Sequence, residues 1–215
     1  MALSSDVRLV DAELYFLPIE TRVPLKFGTE TLASVTCARA RVRVEGSNGV
    51  HEGWGETPLS VQWVWPSILA YETRHQALKD FSTLLAAEWP RFGETGHAIE
   101  IGQAFLEFRL DELLQTFNAK RADEEPMPHL AALVCASLFD IALHDAYGVA
   151  NDVPIYETYN DRYMSRDLSA WLSPAEGADV SFAGKYPSDY LARERPNVLP
   201  AWHLVGGKDP VSPDE

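Results

Sequence analysis

The sequence predicts an α+β fold, a three-stranded antiparallel meander followed by a helical bundle, and three observations carry that reading. Two segments alternate apolar with polar residues, the turn Gly46-Ser47-Asn48-Gly49 leads from the second segment into a third, and Leu130 to Leu143 is apolar nearly all round. With 215 residues, 46% of them hydrophobic, the chain is long enough to bury a core without metals or disulfides.

In the first segment Val10, Ala12, Leu14 and Phe16 fall on one face and Asp11, Glu13 and Tyr15 on the other, the period of a half-buried strand. Val35 to Glu45 repeats it, with Ala38, Ala40, Val42 and Val44 opposite Arg39, Arg41 and Arg43. Antiparallel pairing of the two sets acids against arginines, each pair contributing roughly 0.2 to 1 kcal/mol. Between them Thr21 to Thr31, with Pro24 and Gly28, reads as a mobile loop. After the tight turn, Val50 to Glu56 returns as the third strand. Pro66 stands at the favoured first turn of a helix whose stripe is Ile68, Tyr71, His75, Leu78 and Leu85. Ile99 to Phe117 has helical spacing, and Asn118 to Pro126 is a polar linker. The apolar helix from Leu130 needs cover on more than one side, and Gly148 sits where it would stop. Beyond it the spacing allows a short helix over Asp161 to Leu172, then a long loop over Ala175 to Val198, then an apolar strand over Val198 to Val205.

A net charge of −14, with 18 basic residues against 32 acidic ones and no basic run, excludes nucleic acid as a partner. A small anionic ligand stays possible, because a few local cations reverse the field inside a pocket. The N-terminal residues lack the basic and apolar regions of a signal peptide, and no apolar run reaches the ~20 residues of a membrane span, so the expected location is cytoplasmic. Cys37 and Cys135 sit among small apolar residues and read as buried free thiols. Asp140, His144 and Asp145 share about one helical turn, but a metal needs further ligands that no nearby cluster supplies, so a structural role is favoured. Gly206-Gly207-Lys208 lacks the other positions of a phosphate-binding loop, and the hydrolase, zincin and Cys-x-x-Cys signatures are absent from the sequence.

Two stretches, in this order and spacing, resemble the enolase superfamily, in its mandelate racemase and muconate lactonizing branch. One is Val23-Pro24-Leu25-Lys26-Phe27-Gly28-Thr29-Glu30 with the following strand, the Asn48-Gly49 turn and Gly53-Trp54-Gly55-Glu56. The other is Ala136-Ser137-Leu138-Phe139-Asp140-Ile141-Ala142-Leu143-His144-Asp145-Ala146-Tyr147-Gly148 with Val153-Pro154-Ile155-Tyr156-Glu157. The resemblance implies a capping domain over residues 1–128, and over residues 129–215 the helix leading into a barrel, an irregular insertion and a first barrel strand. It implies Mg²⁺-dependent abstraction of a proton α to a carboxylate, by an acid-sugar dehydratase, a racemase or epimerase, or a cycloisomerase. A carbon acid ionises near pH 7 only if a cation takes the developing charge, so the family needs acidic ligands on several barrel strands. Such a barrel takes about 250 residues. No position here matches the family's Lys-x-Lys bases or its metal ligands, so no catalytic or metal-binding residue is assigned, and the chain is expected to be an inactive fragment of a (β/α) barrel enzyme. The capping loops that choose the substrate map onto Lys26, Phe27, Gly28 and Thr29 and onto Thr57, Pro58, Leu59 and Trp63. His203, on the expected barrel strand, is a further substrate-facing candidate. The alternative is a non-catalytic module that binds a small ligand or pairs with a separate barrel chain. Either reading leaves apolar surface uncovered, so self-association into a homo-oligomer, or association through the incomplete barrel, is expected.

Overall fold

A computed structural model of the chain describes residues 3–27, 30–121, 123–192, 194, 196–202 and 212, with 23, 25–27 and 30 described by backbone alone. Strands β1 (Val7–Phe27), β2 (Glu30–Gly46) and β3 (Gly49–Pro58) form the antiparallel meander. A short β4 (Thr95–Gly96), not foreseen in the sequence, pairs with the start of β1, giving the order β3-β2-β1-β4. Helices α1 (Val61–Val64), α2 (Tyr71–Phe92), α3 (Ala98–Phe105), α4 (Asp111–Ala119) and α5 (His129–Asn151) cover one face of the sheet.

The side chains on the covered face are small. Ala38, Ala40, Val42 and Val44 are fully buried on β2, and Gly53 and Gly55 are buried on β3. An added Cβ on Gly53 would lie 2.1 Å from Ala146 N, and one on Gly55 would lie 2.1 Å from Leu138 O, so the backbone of α5 rests directly on β3. This close approach, more than turn geometry, is what the glycines provide. α5 is long and apolar enough to cross a bilayer by composition, but Ala142, Ala146, Leu138 and Phe139 place it inside the core of the sheet–helix sandwich.

The opposite face carries the predicted charge ladder. Arg43 Nη2 donates to Asp11 Oδ2 at 2.7 Å, Arg41 bonds Glu13, and Arg8 Nη2 meets Glu45 Oε2 at 2.7 Å. Arg39, opposite Tyr15 on β1, turns instead to Glu56 on β3. The expected inward set on β1 needs correction. The register slips between Leu9 and Asp11, so Val7 and Leu9 are buried and the phase resumes with Ala12, Leu14 and Phe16, leaving Val10 at the irregularity.

Several expectations are overturned. Thr21 to Thr31 is no loop in its described residues. β1 and β2 run on past the end of β3 as a two-stranded arm, with Leu25↔Leu32, Lys26↔Thr31 and Phe27↔Glu30 in register. Pro66 does not start a helix. Trp65 Nε1 and Ser67 Oγ both donate to Glu125, which holds this stretch extended, and α2 begins at Tyr71 with Ile68 fully exposed. Gly148 does not end α5. It makes room for the returning backbone, since an added Cβ there would lie 3.0 Å from the Val153 carbonyl oxygen, and the helix stops at Asp152, whose φ of 52° is left-handed. Residues 161–172 form no α-helix, because Asp167 accepts from Ser169 N and Gly184 N and Asn160 from Arg162 N, side-chain bonds that compete with helical ones. Val198 to Trp202 is exposed and unpaired by any strand among the described residues, while 203–205, the rest of the expected barrel strand, lies outside them.

The helix expected over Ile99 to Phe117 is present, with a π-helical turn at Leu106–Leu110 between α3 and α4. That turn shifts the helical phase and presents Arg109 to Glu88 of α2, Nη2 to Oε2 at 2.7 Å, with Arg91 on the other oxygen at 2.8 Å. The Arg109 bond above all holds the Glu88 carboxyl below its ordinary range. Glu88→Ala is expected to cost about 1 kcal/mol by chemical denaturation, since it removes two ion pairs while Arg109, partly exposed, keeps Glu112.

Candidate functional site

Four of the expected substrate-facing residues, Thr57, Pro58, Leu59 and Trp63, lie at the end of the sheet at which β3 stops. Pro58 lies opposite Cys37, and beyond this level β1 and β2 continue alone. Thr57 Oγ1 is 2.7 Å from Ser137 Oγ of α5, and because Ser137 donates to Val134 O, Thr57 is the donor between them. The chain then leaves the sheet with Leu59 N bonded to Thr36 O at 2.8 Å. Leu59, Val61 and Val64 are buried and fix α1, which leaves Trp63 outward and 55% exposed. Thr57, Pro58, Leu59 and Trp63 are thus brought together, with Leu59 contributing its side chain to the core.

Lys26 and Phe27 are not gathered with them. They lie toward the far end of the arm, about 20 Å from the Pro18–Thr36 level, counted over the six β2 steps from Thr36 to Glu30 at ~3.3 Å per residue. Gly28, Thr29 and His203 lie outside the described residues.

Three residues at this end, Thr36, Cys37 and His75, were not expected there from the sequence. Thr36 bonds His75 Nε2 at 2.9 Å, and His75 stacks on Tyr71 at 5.5 Å. Burial keeps His75 below its ordinary value, so it is neutral at pH 7. Cys37 Sγ donates to Glu56 Oε1 at 2.9 Å, and burial, then Glu56, push the thiol up to about 11, which makes it inert as a nucleophile. His75 was visible only as one member of a helical stripe, and nothing local marks a strand threonine as its partner. Cys37 and Cys135 are both free and buried, as expected.

In the Asp140, His144, Asp145 turn Asp145 acts apart, while His144 Nε2 lies 3.9 Å from Asp140 Oδ1. Asp145 Oδ2 accepts from Trp54 N at 2.8 Å, occupying a donor on the free edge of β3. Asp145→Ala is expected to speed amide exchange at Trp54 and to lower stability by about 1 kcal/mol, measured by hydrogen exchange and denaturant titration. Asp140 packs against Gly102 of α3, where an added Cβ would lie 2.2 Å from Oδ1. His144 Nδ1 meets the Tyr159 hydroxyl at 2.9 Å, and burial holds this imidazole toward its neutral form. Beside it His97 is fully buried, its Nδ1 accepting from Ile99 N at 3.1 Å and its Nε2 facing Thr158 Oγ1 at 2.9 Å. Among the described residues no group of three His, Cys, Asp or Glu side chains could hold a metal ion. The described residues therefore do not fit the Mg²⁺ that the resemblance implies, and the end of the sheet presents hydroxyls, an imidazole and an exposed indole.

No protein-family model matches the chain, and no curated protein matches it. Solved structures do. The chain is similar to L-talarate/galactarate dehydratase from Salmonella typhimurium LT2, with 16% identity and a TM-score of 0.41, covering 70% of this chain and 32% of that one. It is similar to a dipeptide epimerase from Enterococcus faecalis V583, a structure complexed with Mg and the dipeptide L-Leu-L-Tyr, with 13% identity, a TM-score of 0.41 and coverage of 72% and 35%. A third is the L-Ala-D/L-Glu epimerase from Bacillus subtilis, at 15% identity, a TM-score of 0.40 and the same coverage. This chain spans about a third of the length of those structures.

Proposed function

We propose that this chain is the capping part of an enolase-superfamily enzyme of the mandelate racemase and muconate lactonizing branch, acting in the cytoplasm on a small carboxylate. The observation that carries this reading is the contact between the two stretches on which the resemblance rests. Gly53 and Gly55 receive the backbone of α5 at Leu138, Ala142 and Ala146, and Trp54 N is bonded to Asp145, so residues some ninety positions apart interlock as one unit. In this reading Thr57, Pro58, Leu59 and Trp63, with Lys26, Phe27, Gly28, Thr29 and His203, face the substrate. In this reading Mg²⁺ would supply positive charge beside the substrate carboxylate, and its ligands and the proton-abstracting bases would come from barrel residues that this chain does not offer among its described residues. The reaction is a dehydration, a racemisation or epimerisation, or a cycloisomerisation.

The test is capture of the native species from the source cell with an antibody to the sheet, followed by peptide mapping and an assay of Mg²⁺-dependent α-proton exchange in D₂O. Barrel peptides with a Lys-x-Lys strand on the same polypeptide, together with exchange, are the expected result. The same peptides on a separate polypeptide favour the second reading, a capping module that pairs with a barrel chain. That reading draws on the sheet and its helices enclosing their own core. Absence of barrel peptides, or proton exchange by the purified 215-residue chain alone, overturns both.

Val198, Leu199 and Trp202 are 81%, 78% and 96% exposed, and Ile141 and Val149 add apolar surface on α5. The isolated chain is therefore expected to self-associate at micromolar concentration. Light scattering that shows a monodisperse monomer would count against it.

A further inference from the structure

Three elements meet at Thr36. Its carbonyl accepts from Leu59 N, which fixes the start of the β3–α1 connection, and its hydroxyl is bonded to His75 of α2. On its other side stands Pro18 of β1, which has no N–H to give. Above this level the register of β1 and β2 slips between Glu20 and Leu25, where Thr21 Oγ1 bridges to the Leu32 and Ala33 carbonyls, and no third strand among the described residues supports the arm. A two-stranded ribbon is marginal alone, so its setting depends on its base. The base is gripped by one face of α2, along which Tyr71 stacks on His75 and Lys79 lies 5.0 Å over the Phe16 ring.

We propose that Thr36 and His75 are positioning residues that couple the arm to the β3–α1 connection, so that the two segments flanking the end of the sheet are set together. The purpose of this coupling, fixing the shape of a substrate-covering surface, rests on the capping reading, but the coupling itself does not. Removing either side of the Thr36–His75 bond frees the last supported level of the arm and, through Thr36 O, the hydrogen bond of Leu59.

The test is hydrogen exchange by mass spectrometry on the whole chain and its T36V, H75A and H75Q variants. A Val44→Ala variant serves as control, because Val44 is buried near the opposite end of β2. Thr36→Val and His75→Ala are expected to speed exchange of Leu59 and of the β2 amides next to Thr36 by about tenfold relative to the slowest core amides. His75→Gln, which keeps a side chain able to bond Thr36, is expected to restore most of the protection. Val44→Ala lowers Tm without that local change. The proposal is overturned if His75→Ala exchanges there no faster than Val44→Ala, or if the Gln variant behaves as the Ala variant does. Failure of the capping reading would appear as missing barrel peptides and would leave these exchange rates as they are.

Discussion

A methyl group at Gly55 is expected to be among the most damaging single-atom-scale changes this chain can receive. The new Cβ would lie 2.1 Å from Leu138 O, 2.5 Å from Ala142 N and 3.0 Å from Ile141 Cβ, and two of these neighbours are helix backbone that cannot rotate away. Either α5 lifts from β3 or the strand bends, and each exposes the fully buried Ala142 and Leu138. Overpacking of this kind costs about 3 kcal/mol, with a fall in Tm of roughly 6–12 °C for a chain of this size. Gly53→Ala meets Ala146 N at 2.1 Å and is expected to act alike. Gly46→Ala is the contrast, since its Cβ would meet only ordinary contacts at 3.5 Å and beyond, and its Tm is expected to stay within a few degrees of the parent. Equal Tm values for the Gly55 and Gly46 variants would refute the close-approach account.

The second large effect is on the response to acid. His97 has both ring nitrogens in use, one capping α3 and one facing Thr158, and burial, with His144 beside it, pushes it down to about 3. Its unfolded value is near 6.5. Between those values the unfolded chain binds a proton that the folded chain refuses, so stability is full above about pH 6.5, falls as the pH drops, and levels below about 3. The slope from this one group approaches about 1.4 kcal/mol per pH unit within that window. His144, lowered by burial, adds in the same sense, whereas Asp6 and Asp140, the latter beside His144, are raised by burial and work in the opposite one. The contribution of His97 is isolated by His97→Asn, whose side chain can still cap the helix. Denaturant titrations between pH 6 and 4 should show a smaller pH slope in the variant, by close to one proton. Parallel curves for the two proteins would mean that His97 is not the group that resists protonation.

What could be read from the sequence follows from where the determining forces act. The alternation of Ala38, Ala40, Val42 and Val44 with Arg39, Arg41 and Arg43 reports a face directly, and the strand partners and charge pairs followed from it. The tight turn was placed correctly, although its positive φ falls on Gly49 rather than Asn48, whose side chain instead donates to Ala150 O. The arm was misread because Pro24 and Gly28 look like loop residues, whereas pairing with the opposite strand decides the matter. Pro66 and Gly148 failed because a side chain distant in sequence, or a returning backbone, overrode local preference, and residues 161–172 because Asn160 and Asp167 bond backbone N–H groups two residues on. As candidates for the proposed site, Thr57, Pro58, Leu59 and Trp63 were named through their resemblance to a known loop. Thr36 and His75 were not, because a bond between a strand hydroxyl and a helix imidazole leaves no spacing in the sequence.

The ladder on the outer face of the sheet has a consequence for long-range approach. Arg8, Arg39, Arg41 and Arg43 are each matched by acids across the strands, so that face is close to electroneutral. The net charge of −14 therefore arises mainly from residues outside that face, the helices among them. At distances of about a Debye length the molecule presents one quiet side and one anionic side, and another acidic body meets the least repulsion when it drifts in over the arginine rows. Encounter orientation is biased before any contact forms, and that bias fades as salt is added.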